Sequence, residues 1–348
     1  MVIGVVGAGL SGLIAGKTLA EAGHEVMVFE KSRNIGGRMA TTFAEGREEI
    51  KLDHGVSYFQ AEGEEFSGFL QELENKGLVR EWGDSFSFHN GETMYDVHPG
   101  RKRKASYIAP EGMSSIGKYL SRWLDFRQGV PVSGLTFIGS NRLSKRNWMI
   151  SLADFNTHEL DALIVATPST QAYGLIQTSQ DELGFRKMIR TLSQIEYDPS
   201  YSLMATYGKR EIPSWKGMVC QDDRINWISN ETSKRDNAGE LGLVMHSSAR
   251  FAREHVNEDH EQIAQLMLER AAVLAGPWAA KPHWQHLHLW KYSKPLNPFK
   301  SPYMELENHP APAALAGDYF GSQPMESAYL SGLKLGHHWV EKFAMEEV

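Results

Sequence analysis

Gly7, Gly9 and Gly12 form a GxGxxG run, with Leu10 and Ser11 between its last two glycines. Glu30 closes the same short unit. This is the chemistry of an adenine dinucleotide site. Gly7 permits a tight turn, Gly9 leaves the backbone open to a pyrophosphate that a Cβ would block, and Gly12 lets a helix lie close on a strand. A helix opening at Leu10 aims unsatisfied N–H groups and the positive end of its dipole at the phosphates. Glu30 is placed to accept both hydroxyls of an adenosine ribose, and its charge repels a 2′-phosphate, so NADP is not expected in this slot. Lys31 adjoins it and joins the candidate set.

Two later groups separate a flavin dinucleotide from a nicotinamide one. Gly36-Gly37-Arg38 lies just beyond Glu30, where the glycines bring the loop back under a nucleotide and Arg38 can reach a pyrophosphate or a flavin edge. Near the C-terminus, Gly317-Asp318 precedes a helix expected to open at Met325-Glu326-Ser327. Asp318 suits the hydroxyls of a ribityl chain. The free N–H groups of that helix suit the N1–C2=O edge, where reduced flavin carries negative charge. His54-Gly55 completes the cofactor set. Tyr58, Trp227, His246, Trp290 and Tyr292 are the residues expected to line a substrate pocket; aromatic walls exclude water and sandwich a flat ring. His246 suits a hydrogen bond to a carboxamide or a flavin oxygen. No Ser/His/Asp or Cys/His set stands out, and hydride transfer to a flavin needs none.

The elements that must position these groups are legible from periodicity. Val2–Val6 reads as a buried parallel strand, residues 25–30 as a second, and 162–166 as a third, apolar throughout. Gly12, Gly16 and Ala20 recur every four residues and keep one helix face small; Ala328, Gly332 and Gly336 do the same near the C-terminus. Residues 64–76 have helical spacing, with Phe66, Phe69, Leu70 and Leu73 on one face. Residues 82–97 read as a hairpin about Asn90-Gly91, and 110–126 as a helix. Short strands at 130–132, 135–138 and 148–152 form a meander; further segments are a helix at 257–274, a strand at 284–292 and a strand at 313–316. Nucleotide-type strands at both ends and in the middle point to two interwoven domains.

Composition sets outer bounds. The chain has 348 residues, 41% hydrophobic and 23% charged, as for an ordinary globular protein. A net charge of −7 argues against nucleic acid as a partner. A single cysteine, Cys220, allows no internal disulfide and suits a reducing, cytoplasmic compartment. No apolar run is long enough for a bilayer, no basic segment precedes the first strand as in a signal peptide, and no histidine spacing suggests a metal.

The chain resembles FAD-dependent flavoproteins of the amine-oxidase fold, and within them the renalase-like branch. The resemblance rests on residues 5–42, 52–59, 110–113, 227–234, 244–248 and 316–332. It implies an α/β protein: a Rossmann-type, glutathione-reductase-like FAD-binding domain (1–57, 106–170 and 293–348) interwoven with a mixed-sheet-plus-helices substrate domain (58–105 and 171–292). It implies FAD held without a covalent bond, with Val132 meeting the adenine end through its backbone. It further implies oxidation of 2- or 6-dihydronicotinamide isomers to NAD(P)⁺, with O₂ as acceptor and hydrogen peroxide as product. Ser57 stands where renalase-like sequences usually carry Gln. Arg101-Lys102-Arg103-Lys104 is either a solvated charge run or an attractor for a phosphate-bearing substrate. A flavin amine oxidase and a non-catalytic flavin redox sensor stay open as alternatives. A lipid or pigment desaturase fits less well with a mean hydropathy of −0.39.

Overall fold

The computed structural model describes residues 1–139, 146–179, 182–236, 239–307 and 309–346. The chain forms two units, each assembled from separated stretches. The first combines Met1–Arg38, Ile116–Glu196 and Pro295–Val348; the second combines Met39–Ser115 and Tyr197–Lys294.

In the first unit the Val2–Val6 strand is buried along its whole length and lies inside a six-stranded sheet. It pairs in parallel with Glu25–Glu30 on one side and Ala162–Val165 on the other. Ala313–Leu315 and Asp125–Gln128 extend the sheet in parallel, and Met304–Glu305 adds an antiparallel edge. Residues 110–126 were expected to be one helix. The helix covers only Ser114–Leu120, and Phe126 instead belongs to the Asp125–Gln128 strand, which satisfies the backbone groups along the open side of Glu25–Glu30.

Helix Leu10–Glu21 links the first two strands, and helix Pro324–Glu346 packs along it. The glycine spacings explain both contacts. A Cβ on Gly12 would press on Val5 at 3.2 Å, and one on Gly332 would collide with the Ser11 carbonyl oxygen. The small face of the first helix thus meets the sheet, and that of the last helix meets the first helix.

The expected strands at 130–132 and 135–138 are a single strand, Val132–Phe137, in an antiparallel meander with Trp148–Leu152 and Thr157–Leu160. Helices Ser169–Ile176 and Glu182–Leu192 dock on it. Leu135 N donates to Thr178 Oγ1 at 2.9 Å, and the Trp148 and Phe185 rings meet at 5.7 Å. Residues 171–196 therefore belong to the first unit and not, as expected, to a substrate domain.

The second unit is built on a seven-stranded sheet ordered Trp284–Pro295, Tyr197–Thr206, Gly242–Ser247, Ile225–Asn230, Gly217–Cys220, Ser87–His89, Met94–Tyr95. Ile263, Met267 and Leu274 of helix His260–Ala275 form a core with Tyr201, Leu203, Leu243 and Met245 on one face. On the alternate residues, Met204 and Val244 pack with Ile50 and Leu52 of the hairpin Thr41–Ala44/Arg47–Asp53. Residues 39–57, expected with the dinucleotide domain, are in this way part of the second unit. Residues 106–115 follow them, because Ser106–Ile108 pairs with Arg80–Gly83. The hairpin expected over 82–97 is shorter: Ser87–His89 pairs with Met94–Tyr95, while Trp82 leaves for an aromatic cluster. Helix Glu64–Asn75 buries Phe66, Phe69, Leu70 and Leu73, the four residues its spacing singled out.

Candidate functional site

The first unit brings most of the dinucleotide residues together. Gly7 leaves its strand with φ of 107° and donates to Phe29 O at 2.9 Å. Gly9 precedes helix Leu10–Glu21, whose first turn has no side-chain cap, so the amides of Leu10, Ser11 and Gly12 keep no partner within the helix. A Cβ on Gly9 would meet no protein atom within 4 Å. That combination is an open cradle with N–H groups at its base, and a pyrophosphate fits it.

Glu30 holds the cradle in shape. Its Oε2 accepts from Ala8 N and its Oε1 from Ser32 N, both at 2.9 Å. Lys31 beside it is exposed. Gly36 N donates to Ala8 O at 2.9 Å, which folds the Gly36-Gly37 loop onto the glycine turn; a Cβ on Gly37 would lie 3.1 Å from the Gly9 Cα. Arg38 Nη1 then donates to Asp318 Oδ2 at 2.7 Å. Arg38, expected at a pyrophosphate or flavin edge, and Asp318, expected at a ribityl chain, are thus ion-paired, with Asp318 almost wholly buried. Gly317 N is held by Ser331 Oγ at 2.9 Å.

One expected detail changes. Helix Pro324–Glu346 begins a residue before Met325, and Ser327 N already donates to Gln323 O at 2.7 Å. Its amide is consumed by the turn; the Ser327 hydroxyl accepts from Gln323 N at 3.2 Å. Glu326 is buried and Met325 half-buried. Val132, half-buried, starts the meander strand opposite Leu152.

The pocket aromatics and His54-Gly55 all lie in the second unit. Strand register sets Trp227 and Ser202 on either side of His246 across three strands. Trp227 Nε1 donates to Ser57 Oγ at 3.1 Å, Ser57 Oγ lies 3.3 Å from His246 Nε2, and His246 Nδ1 lies 3.0 Å from Ser202 Oγ. An indole N–H can only donate, so Ser57 accepts there. Each ring nitrogen of His246 faces a hydroxyl that can donate or accept, so both edges of the imidazole are satisfied in either neutral tautomer. Burial, with Lys234 and His54 adding positive repulsion, pulls the His246 pKa down to about 3. A neutral His246 is the result.

Around this row stand Tyr58, Trp82 and Phe86. Tyr58 meets Phe86 at 4.9 Å and Trp227 at 5.3 Å between ring centroids. Trp290 stacks on His54 at 5.5 Å and donates Nε1–H to His54 O at 2.8 Å. Burial and the neighbouring His288 lower the His54 pKa to about 4. Tyr292 meets Tyr197 at 5.6 Å.

Sequence reasoning missed what anchors this face. Asp53, Glu231, Lys234 and Arg235 form a buried ionic quartet. Lys234 Nζ is 2.7 Å from Glu231 Oε1 and 3.4 Å from Asp53 Oδ2, and Arg235 Nη2 is 2.8 Å from Asp53 Oδ2. Asp53 Oδ1 also accepts from Thr41 Oγ1 at 2.7 Å and Met113 N at 2.9 Å. Burial pushes the Asp53 carboxyl up, yet the two cations overcome it and hold it at about 2; Glu231 is raised by burial. The polar run 229–235 was the only available signal. Ser202 carried none, and Ser57 registered only as a departure from pattern.

Cys220 is buried in its strand, and burial pushes its thiol up to about 12. Among the described residues no three His, Cys, Asp or Glu side chains gather to hold a metal, and no helix is long and apolar enough to cross a membrane.

Comparison with known proteins agrees with the first unit's geometry. A family model described as an NAD(P)-binding Rossmann-like domain matches residues 5–73. A 4,4′-diapophytoene desaturase of Staphylococcus aureus is 56% identical over 39 residues, which is 11% of this chain and 8% of the desaturase. The match therefore spans a small part of that relative. Solved structures share the whole fold. Putrescine oxidase bound to putrescine superposes with a TM-score of 0.73 at 13% identity, covering 99% of each chain. Cyclohexylamine oxidase from Brevibacterium oxydans gives 0.74 at 13% identity, covering 98% of this chain and 99% of that one. An oxidoreductase from Methanosarcina mazei gives 0.67 at 14% identity, covering 98% and 100%. The fold is the amine-oxidase fold, an α/β architecture with a Rossmann-like dinucleotide unit.

Proposed function

We propose that the chain is an FAD-dependent oxidoreductase that binds its flavin without a covalent bond and oxidises 2- or 6-dihydronicotinamide dinucleotides to NAD(P)⁺. The observation that carries the cofactor assignment is the open cradle at Gly9, closed from one side by Glu30 and continued by the Arg38–Asp318 pair. In this reading Gly7, Gly9, Leu10, Ser11 and Gly12 bind the pyrophosphate, and Glu30 with Lys31 faces the ribose. Val132 meets the adenine end through its backbone. Gly37, Arg38, Gly317 and Asp318 take the middle of the molecule, while Met325, Glu326 and Ser327 lie toward the flavin. When bound, FAD supplies a two-electron acceptor for a hydride, and O₂ closes the cycle as hydrogen peroxide.

The protein's share is placement. Tyr58, Trp227 and Trp290 offer apolar faces to a flat, uncharged ring, and His246 offers a neutral imidazole edge that neither attracts nor donates a full charge. A ring that loses hydride needs no base, and a histidine with pKa about 3 supplies none at neutral pH. Cys220, a protonated core thiol, is no candidate for a flavin link.

The amine-oxidase reading is supported by the shared fold and by the same aromatic cluster. Anaerobic stopped-flow reduction separates the two. Fast bleaching of the yellow protein by the dihydronicotinamide isomers, with NADH, NADPH and amines slow, is the expected result. Amines bleaching at comparable or greater rates would replace the leading reading. A flavin reduced by neither set would leave a redox sensor.

A further inference from the structure

We propose that Arg101 and Lys102 form an anion subsite that takes a phosphate of the substrate. The proposal rests on the dihydronicotinamide reading and names the part of that substrate the pocket aromatics leave unbound. The four consecutive cations at 101–104 are not equivalent. Arg103 is paired with Asp84 at 3.5 Å and Lys104 with Glu62. Arg101 and Lys102 have no carboxylate partner among the described residues, on a chain whose net charge is −7. Both are exposed and line one small solvent-open cleft together with Gln60, His98 and Asp84, whose carboxylate is paired with Arg103.

Position decides what this cleft serves. Arg101 Nη2 lies 3.4 Å from the Tyr58 hydroxyl, and the Tyr58 ring meets Trp227 at 5.3 Å. Trp227 in turn connects through Ser57 to His246. Trp82, Phe86 and Trp227 are buried behind the half-buried Tyr58, so a molecule whose flat ring rests on Tyr58 would carry its next group toward Arg101. A guanidinium fork beside an ammonium group suits phosphate oxygens. Two free cations are too few for a polybasic membrane contact, which uses clusters of about 4–8. They also oppose a cationic ligand, so the subsite favours a nucleotide over an amine.

The test uses the full-length, FAD-saturated protein and the double variant Arg101→Gln/Lys102→Gln. Titration calorimetry with ADP-ribose should show binding that weakens with salt and falls about tenfold in the variant, with adenosine weak in both. ADP-ribose affinity that is unchanged in the variant, or that does not weaken with salt in the parent protein, would overturn the proposal. In anaerobic reduction, KM for the 6-dihydro dinucleotide should rise about tenfold, while the phosphate-free 6-dihydronicotinamide riboside is unaffected. Equal changes for both compounds would also overturn it. If neither compound bleaches the flavin but ADP-ribose binding still depends on the two cations, the subsite stands and the substrate reading falls. Pyrophosphate competing as well as ADP-ribose would mark a site for free anion and defeat the nucleotide assignment.

Discussion

The two candidate sites are made of different materials. The dinucleotide cradle of the first unit is mostly backbone: glycine Cα atoms, uncapped helix amides and carbonyls, with one carboxylate and one ion pair. The aromatic and histidine face of the second unit is mostly side chain, drawn from widely separated stretches and tied down by a buried quartet of charges. A backbone site needs particular residues at particular spacings within a few turns of chain. A side-chain site needs only that strand register bring distant residues into one row, as it does for Trp227, His246 and Ser202. The first kind tolerates little local change and much distant change. The second depends on distant anchors.

The sharpest way to break this contrast is to remove an anchor that touches no ligand. Lys234→Met leaves Asp53 and Glu231 with Arg235 as their only paired cation among the described residues. A loss of about 3–5 kcal/mol is expected by denaturant titration, as for other broken buried pairs. A loss under 1 kcal/mol would mean that the quartet is not what holds the second face. The matching change in the first unit is Glu30→Ala. It removes two charge-assisted bonds to backbone amides and should cost about 10- to 100-fold in FAD affinity, with far less effect on global stability. Flavin content unchanged after purification would refute the role of Glu30.

The smallest expected effect concerns pH and is read at two histidines of the second unit. His54 and His246 are held neutral, with pKa values of about 4 and about 3 against an ordinary 6.5. Below pH 6.5 the unfolded chain takes up protons that the folded one refuses, so stability falls as pH drops from 6.5 toward 4. Each histidine contributes up to roughly 1–2 kcal/mol of loss at pH 5, and His246→Gln should flatten the slope. Asp53 behaves oppositely in position: its stabilisation is complete above 3.8 and disappears only as pH falls through about 2. A melting temperature flat from pH 7 to pH 4.5 would show that the two imidazoles are not desolvated.

The legible part of the molecule follows the same division. Helix Glu64–Asn75 and strands Val2–Val6 and Ala162–Val165 were readable because local periodicity reports burial directly. The 110–126 segment was misread because Phe126 is as apolar on a helix face as in an edge strand, and only the unpaired side of Glu25–Glu30 decides between them. The unit boundaries at Arg38 and Ser115 were equally hidden: Ile50 and Leu52 look like any buried strand until Met204 and Val244 appear beneath them.

By itself the sequence determined the dinucleotide cradle, since glycine spacing, helix start and Glu30 act over short stretches of contiguous backbone. Tertiary structure alone decided that Arg38 meets Asp318, that Ser57 and Ser202 bracket a neutral His246, and that Asp53 closes on Glu231, Lys234 and Arg235. Those contacts join residues far apart in the chain, and their energies come from burial and register, which no local pattern encodes.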